Sequence, residues 1–392
     1  MPTPFRTLPA VTVLLIIAAT ASSPAAAAEE GFKPLFNGSD LSGWRPINTA
    51  PSTWDVQDGM LICSGKPIGE LRTLKMYQNF ILELEWRHMV PKGNAGVFVW
   101  ADDITAPGVP FHRGIEVQVL ENAYGKAKWF TTHGDIFPIH GATMTPINGR
   151  GGSRAFPTKE LSKPSPEWNH YRIECRDGDI SLAVNGEVVT RGKDCSPSKG
   201  YICLESEGGV VHYRNIRIKE LPDTPIEPEH IAIAERGYRS IYTGVDLSGW
   251  TSAGGAAPAS AWKVNDWTLT RDGDAGPLFS DASEIKGDYD FIVDIRLKSK
   301  GAVAKIFPRG TKGSAPTIAT SDERIAPHVA ADGKWTRLQG KVRGNNTVEL
   351  SFFGKPDTVT LKLGVLKRAQ GFAIDADGAV DFANLYVREA ND

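Results

Sequence analysis

Phe80-Ile81-Leu82-Glu83-Leu84-Glu85-Trp86-Arg87 alternates apolar and charged side chains with a period of two. A strand sends successive side chains to opposite faces, so Phe80, Leu82, Leu84 and Trp86 face a core while Glu83, Glu85 and Arg87 face away. The stretches 95–100, 115–120, 170–175, 180–184 and 211–218 follow the same rule, and Asp58-Gly59, Asp177-Gly178 and Asn185-Gly186 supply turns between such runs. Gly (40) and Pro (26) are plentiful and long helical periodicities are scarce. The chain is therefore expected to be all-β, with antiparallel strands in two-layer jelly-roll sandwiches.

An internal repeat sets the domain count. Leu35-Phe36-Asn37-Gly38-Ser39-Asp40-Leu41-Ser42-Gly43-Trp44 returns as Ile241-Tyr242-Thr243-Gly244-Val245-Asp246-Leu247-Ser248-Gly249-Trp250. Trp54 then answers Trp262, the run from Tyr77 answers the run from Tyr289, Trp168 answers Trp335, and Asn215-Ile216-Arg217-Ile218 answers Asn384-Leu385-Tyr386-Val387. Each copy is too long for a solenoid unit, so two tandem sandwiches are expected, at 31–221 and 235–390, joined by a proline-rich linker at 222–234. Trp44, Trp54 and Trp168, kept in both copies, are expected in the core. The stretch from Phe80 to Trp168 is twice as long as its counterpart from Phe291 to Trp335. A scaffold that survives without this stretch does not need it to fold, which places the chemistry between Arg87 and Arg154.

Residues 1–28 read as a signal peptide: Arg6, an apolar run from Leu8 to Ala19, then Ala26-Ala27-Ala28 before Glu29. Export to the periplasm or beyond is the expectation, with no stable membrane insertion because the run is too short to span. Cys63, Cys175, Cys195 and Cys203 could then form disulfides, with Cys195 and Cys203 the first candidate pair. The 44 basic and 46 acidic residues nearly balance, so nothing favours nucleic acid as a partner. No Gly-x-Ser-x-Gly elbow, phosphate loop or dinucleotide fingerprint occurs.

Within the long stretch, Glu116 and Gln118 share one strand face while Ile115, Val117 and Val119 share the other. Glu121 joins them if a bulge or turn intervenes. Three of the eight His residues (His112, His133 and His140) fall here, and His133 beside Asp135 suggests a base with an orienting carboxylate. Trp100 and Trp129 could stack against sugar rings. A metal held by His133, Asp135 and Glu116 is also conceivable, although the absence of a C-x-x-C pair argues against zinc. On the residues alone, a solvated strand face remains open for Glu116 and Gln118, and a loop histidine capped by a turn aspartate is the slightly favoured reading of His133.

Glu116-x-Gln118-x-x-Glu121 resembles the Glu-x-Asp-x-x-Glu motif of laminarinase-type retaining glycosidases, with Gln in place of the central Asp. The wider pattern is closer to the 3-keto-disaccharide hydrolase family. It resembles that family in Leu35–Gly38, Leu41–Trp44, Gly93-Asn94-Ala95-Gly96-Val97-Phe98, Glu116-Val117-Gln118-Val119-Leu120, Trp168-Asn169-His170-Tyr171, Asn185-Gly186 and Arg214–Ile218. The resemblance covers about residues 31–221 and implies a concanavalin-like sandwich that cleaves glycosides oxidised at C3. It supports Asn94, Glu116 and Gln118 as site positions.

A C3 ketone acidifies the C2 proton; a base removes it, the C1 oxygen leaves, and water adds back, with no redox cofactor required and a divalent metal left open. Residue chemistry then makes Glu116 or His133 the base, oriented in the latter case by Asp135. Arg113 or Arg87 would stabilise the enolate, Glu121 would protonate the leaving oxygen, and Asn94, Gln118 and Asn122 would bind hydroxyls. A non-catalytic carbohydrate-binding module and a glycosidase acting on unoxidised glucan are the competing readings.

Overall fold

The computed structural model describes residues 30–280, 285, 287–309, 317–330, 333–344, 347–362 and 371–390. The expected signal segment, 1–28, lies outside them. Antiparallel strands between Lys33 and Glu220 form a nine-stranded and a six-stranded sheet; those between Arg239 and Glu389 form an eight-stranded and a five-stranded sheet. The only helices among the described residues are short 3-10 turns, so the all-β expectation holds.

Alternation produces the core of the first sandwich. Phe80, Leu82, Leu84 and Trp86 of the strand Phe80–His88 meet Ala95, Val97 and Val99 of Asn94–Ala101 and Ile115, Val117 and Val119 of Gly114–Leu120. A fully buried aliphatic or aromatic side chain contributes roughly 1.5–3 kcal/mol, so this interlayer outweighs any single polar contact. The repeated Leu-Ser-Gly-Trp unit also has a physical reason. Trp44 Nε1 donates to Leu35 O at 3.0 Å and Trp250 Nε1 to Ile241 O at 2.8 Å. In both copies an aspartate accepts from a serine N–H two residues on, at 2.8 Å for Asp40 and 2.9 Å for Asp246. The motif is a turn lock under an anchored indole.

Three expectations need correction. All four cysteines are free and buried; Cys195 and Cys203, the expected pair, sit on consecutive strands that belong to different sheets. Trp168 is half-buried on the outer face, held between Arg87 and Arg214 at 4.5 and 4.0 Å. The two strands Phe80–His88 and Tyr289–Leu297 correspond with a two-residue offset from the sequence echo. Glu85 faces His170 and Arg214 as Asp294 faces Arg337 and Ala383, so Glu85, not Glu83, is the counterpart of Asp294.

The two sandwiches are packed together. Residues 231–233 bond to the first one through Ala232 N to Lys199 O (2.7 Å), Asp103 N to Ile233 O (2.8 Å) and Ile233 N to Asp102 Oδ1 (2.8 Å). Ile47 and Ile104 of the first copy share a buried cluster with Tyr238, Ile292 and Tyr386. The loop Thr105–Val109 of the first sandwich enters the second. Gly108 N donates to Asp294 Oδ2 at 2.7 Å, Arg337 Nη1 to Thr105 O at 2.7 Å, and Asn384 Nδ2 to Ala106 O and Val109 O at 3.2 and 3.1 Å. Gly108 has φ +74°, and a Cβ there would lie 2.2 Å from Trp335 Cγ, so only glycine fits.

This latch predicts interdependence. Asp294→Ala leaves Arg337 buried without its carboxylate and should cost about 3–5 kcal/mol, read as a lowered unfolding midpoint in denaturant. A chain ending at Leu221 should melt lower than the full chain and bind a hydrophobic dye, since Ile47 and Ile104 lose their cover; an unchanged melt would refute a shared core.

Candidate active site

Gly114–Leu120 turns Ile115, Val117 and Val119 inward, which leaves Glu116 and Gln118 on the outer face of the six-stranded sheet. Two neighbouring strands complete the constellation. Asn94–Ala101 contributes Asn94 and Gly96, and Tyr201–Ser206 contributes Glu205, with Glu207 just beyond its end. Gly96 lies between the carboxylates: a Cβ there would meet Glu116 Oε1 at 2.9 Å and Glu205 Oε2 at 3.0 Å. The missing side chain is what allows the two acids to converge. Gln118 Nε2 donates to Asn94 Oδ1 (3.0 Å) and Ala95 O (3.2 Å), and Asn94 Nδ2 donates to Glu207 Oε2.

Such crowding holds protons. Burial, followed by repulsion from Glu207, pushes Glu116 up to about 8 against the pull of Arg154. Burial and the charges of Glu207 and Glu116 raise Glu205 well above the usual range, and burial raises Glu207. Glu205 Oε2 is buried with no hydrogen-bond partner. The compensating cation is Arg154, which donates to Asp135 Oδ2 at 3.2 Å and lies 3.4 Å over the Phe137 ring. The group is thus a set of carboxyls able to hold and pass a proton near neutral pH, with an adjacent guanidinium.

The other candidates are placed as follows. Asp135 is fully buried and accepts from Thr131 N at 2.8 Å, from Thr131 Oγ1 and from Arg154, so it positions Arg154 and not His133. His133 is kept largely neutral by burial; its Nε2 lies 3.6 Å from Glu160 and its Nδ1 is buried and unpartnered. Glu121 is a cap. Burial alone would raise it, but the Ser165, Lys92 and Ala123 N–H groups at 3.0, 2.7 and 2.8 Å outweigh that and keep it ionised, which removes it as a proton donor.

Arg87 is on the nine-stranded sheet, stacked on Trp168 and 3.3 Å from His212 Nδ1, on the wrong layer for the site. Arg113 is committed to Asp102 through two 2.9 Å bonds beside the junction of the sandwiches. Asn122 Nδ2 donates to Ser162 O at 2.8 Å. Trp100 has φ +54° at a bulge that turns its ring into the core, where Nε1 donates to Gln78 O at 2.8 Å, so it is no stacking platform. Trp129 is 68% exposed and packs on Phe130 at 4.5 Å, which leaves a face for a ring.

Glu205, Glu207 and Arg154 were not singled out from sequence. Glu205 alternates outward on its strand as Glu116 does, but nothing local shows that the two strands flank Gly96. A separate donor set, Glu70, His112 and Cys203, lies with its ligand atoms within 4.8 Å of one another, fully buried. Burial drives His112 down to about 3, so the ring is neutral and could offer a lone pair. Among the described residues these three donors, and not His133 with Asp135 and Glu116, lie close enough together to hold an ion.

Residues 31–219 match the family described as the 3-keto-alpha-glucoside-1,2-lyase-like domain. A 3-keto-disaccharide hydrolase from Bacteroides thetaiotaomicron is 24% identical over 237 residues, which covers 49% of this chain and 79% of that protein. Among solved structures, a provisionally assigned glycosyl hydrolase from Parabacteroides distasonis aligns at 24% identity with a TM-score of 0.38, covering 49% of this chain and 95% of that one. A Bacillus licheniformis beta-glucanase aligns at 12% identity with a TM-score of 0.33, covering 49% and 97%. The match spans the first sandwich, just under half of the chain.

The raised pKa of Glu116 carries a stability signature. The folded state holds this proton more tightly than the unfolded chain does, so its contribution is complete below the ordinary value of 4.5 and is lost as pH rises towards 8. Glu116→Gln should therefore melt like the parent in acid and above it at alkaline pH. A variant that melts lower at every pH would show instead that Glu116 braces the sheet.

Proposed function

We propose that the first sandwich is a carbohydrate-active enzyme that cleaves glycosides whose glucose ring carries a ketone at C3, after export directed by the segment 1–28. The observation that carries this reading is the convergence of Glu116 and Glu205 over Gly96, where burial and the charge of Glu207 push Glu116 up to about 8. The family match of residues 31–219 and the similarity to a 3-keto-disaccharide hydrolase support the substrate class.

The chemistry needs a base, a stabiliser and an acid. Glu207, half-buried and held by Asn94, takes the C2 proton, and the C–H electrons form the enolate across C2 and C3. Arg154 offsets the enolate charge. As the ketone reforms, the C1–O bond breaks and Glu116 gives its proton to the leaving oxygen. Water then adds across C1 and C2, hydroxyl to C1 and proton to C2, which completes a net hydrolysis. Gln118 and Asn94 bind ring hydroxyls, and Trp129 offers a stacking face at the rim.

The test is incubation of the purified chain with a 3-keto-glucoside and with its unoxidised parent. Aglycone release from the ketone alone is expected; release from the parent would favour an ordinary glycosidase, and binding without release would favour a carbohydrate-binding module. Turnover should fall above pH 8, because deprotonation of Glu116 removes the acid. Glu116→Gln should lose on the order of 10²–10⁴-fold in kcat and abolish that alkaline limb.

A further inference from the structure

Three side chains of the first sandwich that the proposed chemistry does not use meet in one fully buried spot. Glu70 belongs to the strand Gly69–Thr73 and Cys203 to its neighbour Tyr201–Ser206, where Leu204 opposes Leu71 and Cys203 opposes Arg72. Leu71, Ile202 and Leu204 point into the core, so Glu70 and Cys203 stand on the outer face of the six-stranded sheet. His112 reaches them from the connection between Asn94–Ala101 and Gly114–Leu120. Its Nδ1 touches Glu70 Oε2 and lies 3.9 Å from Cys203 Sγ.

The polar balance of this spot is incomplete without a cation. His112 Nε2 lies 3.3 Å from Asp103 O, and a carbonyl only accepts, so Nε2 carries the ring's hydrogen. Nδ1 then turns a lone pair towards Glu70, itself an acceptor, and towards the sulfur. Burial opposes a second proton on the ring. Among the described residues Glu70 meets only His112, through this contact and a 3.4 Å bond from the His112 N–H. Arg72, opposite Cys203, is committed to Asp103 at 2.7 Å, and Arg113 to Asp102. A carboxylate buried in this way needs a compensating charge. A shared proton would satisfy two of the three groups; a metal ion satisfies all three.

The donor set states which ion fits. Nitrogen, sulfur and oxygen together suit zinc and its analogues, whereas magnesium and calcium take oxygen. Zinc bonds of about 2.0–2.1 Å to nitrogen and 2.3 Å to sulfur at a tetrahedral angle separate those atoms by about 3.6 Å. The 3.9 Å between Nδ1 and Sγ is close to that span. Glu70 turns aside from Nδ1 to admit the ion and fills the remaining positions with its oxygens. The carboxylate and the Cys203 thiolate offset a divalent charge, and the thiol proton leaves to solvent. The Nε2–Asp103 contact fixes the ring, as the outer partners of ligating histidines do. Phe98, Ala101, Phe111 and Ile139 pack with Cys203, which seals the spot against substrate.

We infer that Glu70, His112 and Cys203 bind one zinc-type divalent cation in a closed, structural site. The ion clamps the 102–113 connection onto the six-stranded sheet. That connection carries the Thr105–Val109 latch, and His112 is the bridge partner of Thr105, so the clamp reinforces the junction of the sandwiches at its base. Glu70 opposes Glu205 across the strands, which sets the ion one step from the carboxylate cluster without a part in the proposed chemistry.

Because the site is closed, the test loads it during folding. The full chain is unfolded in denaturant with a chelator and refolded with Co2+ or with chelator alone. Refolding with Co2+ should give the near-ultraviolet charge-transfer absorption of a thiolate–cobalt bond, saturating at one ion per chain, and a higher melting temperature than refolding in chelator. Cys203→Ser should remove the absorption and weaken Co2+ binding by more than about a hundredfold, beyond what loss of an outer contact costs. Cys195→Ser, at another buried thiol, should keep both. If Cys203→Ser does not fold, Glu70→Gln carries the test, with the absorption retained and binding weakened. If the parent does not refold, expression with Co2+ in the medium loads the site during synthesis. No absorption and an unchanged melt, or absorption that survives Cys203→Ser, would overturn the inference. Neither result touches the proposed chemistry, which is read from turnover of the 3-keto-glucoside.

Discussion

The buried ion pair between Arg337 and Asp294 governs the rest of the molecule. Two bonds of 2.7 and 2.8 Å join them, and neither group is open to water. A desolvated pair is stable only when its remaining donors and acceptors are matched. The first sandwich supplies that match, with a glycine N–H for Asp294 and a threonine carbonyl for Arg337. The second sandwich is therefore finished by a loop of the first, and the same loop leads into Phe111, His112 and Arg113 at the edge of the sheet that carries the carboxylates.

The carboxylate cluster shows the opposite economy. Glu116 and Glu205 face each other because Gly96 leaves a gap, and the sheet tolerates the repulsion because the interlayer core beneath it is continuous. Arg154 reaches them from a loop and is fixed by Asp135, itself sealed by Thr131. Rigid strands place the acids, and a loop places the cation.

Much of this was legible in the sequence. Period-two alternation gave the strands, and the duplicated Trp units and the unequal spacing between them pointed to the long insertion that contains Glu116 and Gln118. What was not legible depends on pairing across the chain. Glu205 and Glu207 lie far from Glu116 in sequence and meet it only because their strands flank Gly96. Glu121 looked like an acid because its three backbone donors come from Lys92, Ala123 and Ser165, two of them distant. Trp100 looked like a platform because strand parity assigns its direction, and a single bulge reverses it. Trp168 is retained in both copies for its stack with an arginine, a role that retention alone cannot distinguish from core packing.

The four sulfur atoms bear on how such a chain matures. Burial pushes the Cys63 thiol up to about 11 and raises Cys175, Cys195 and Cys203 further. Disulfide exchange proceeds through the thiolate, so the native protein offers oxidants almost no reactive sulfur. The fold is held by packing and hydrogen bonds, with all four sulfurs sealed inside it and none in a disulfide.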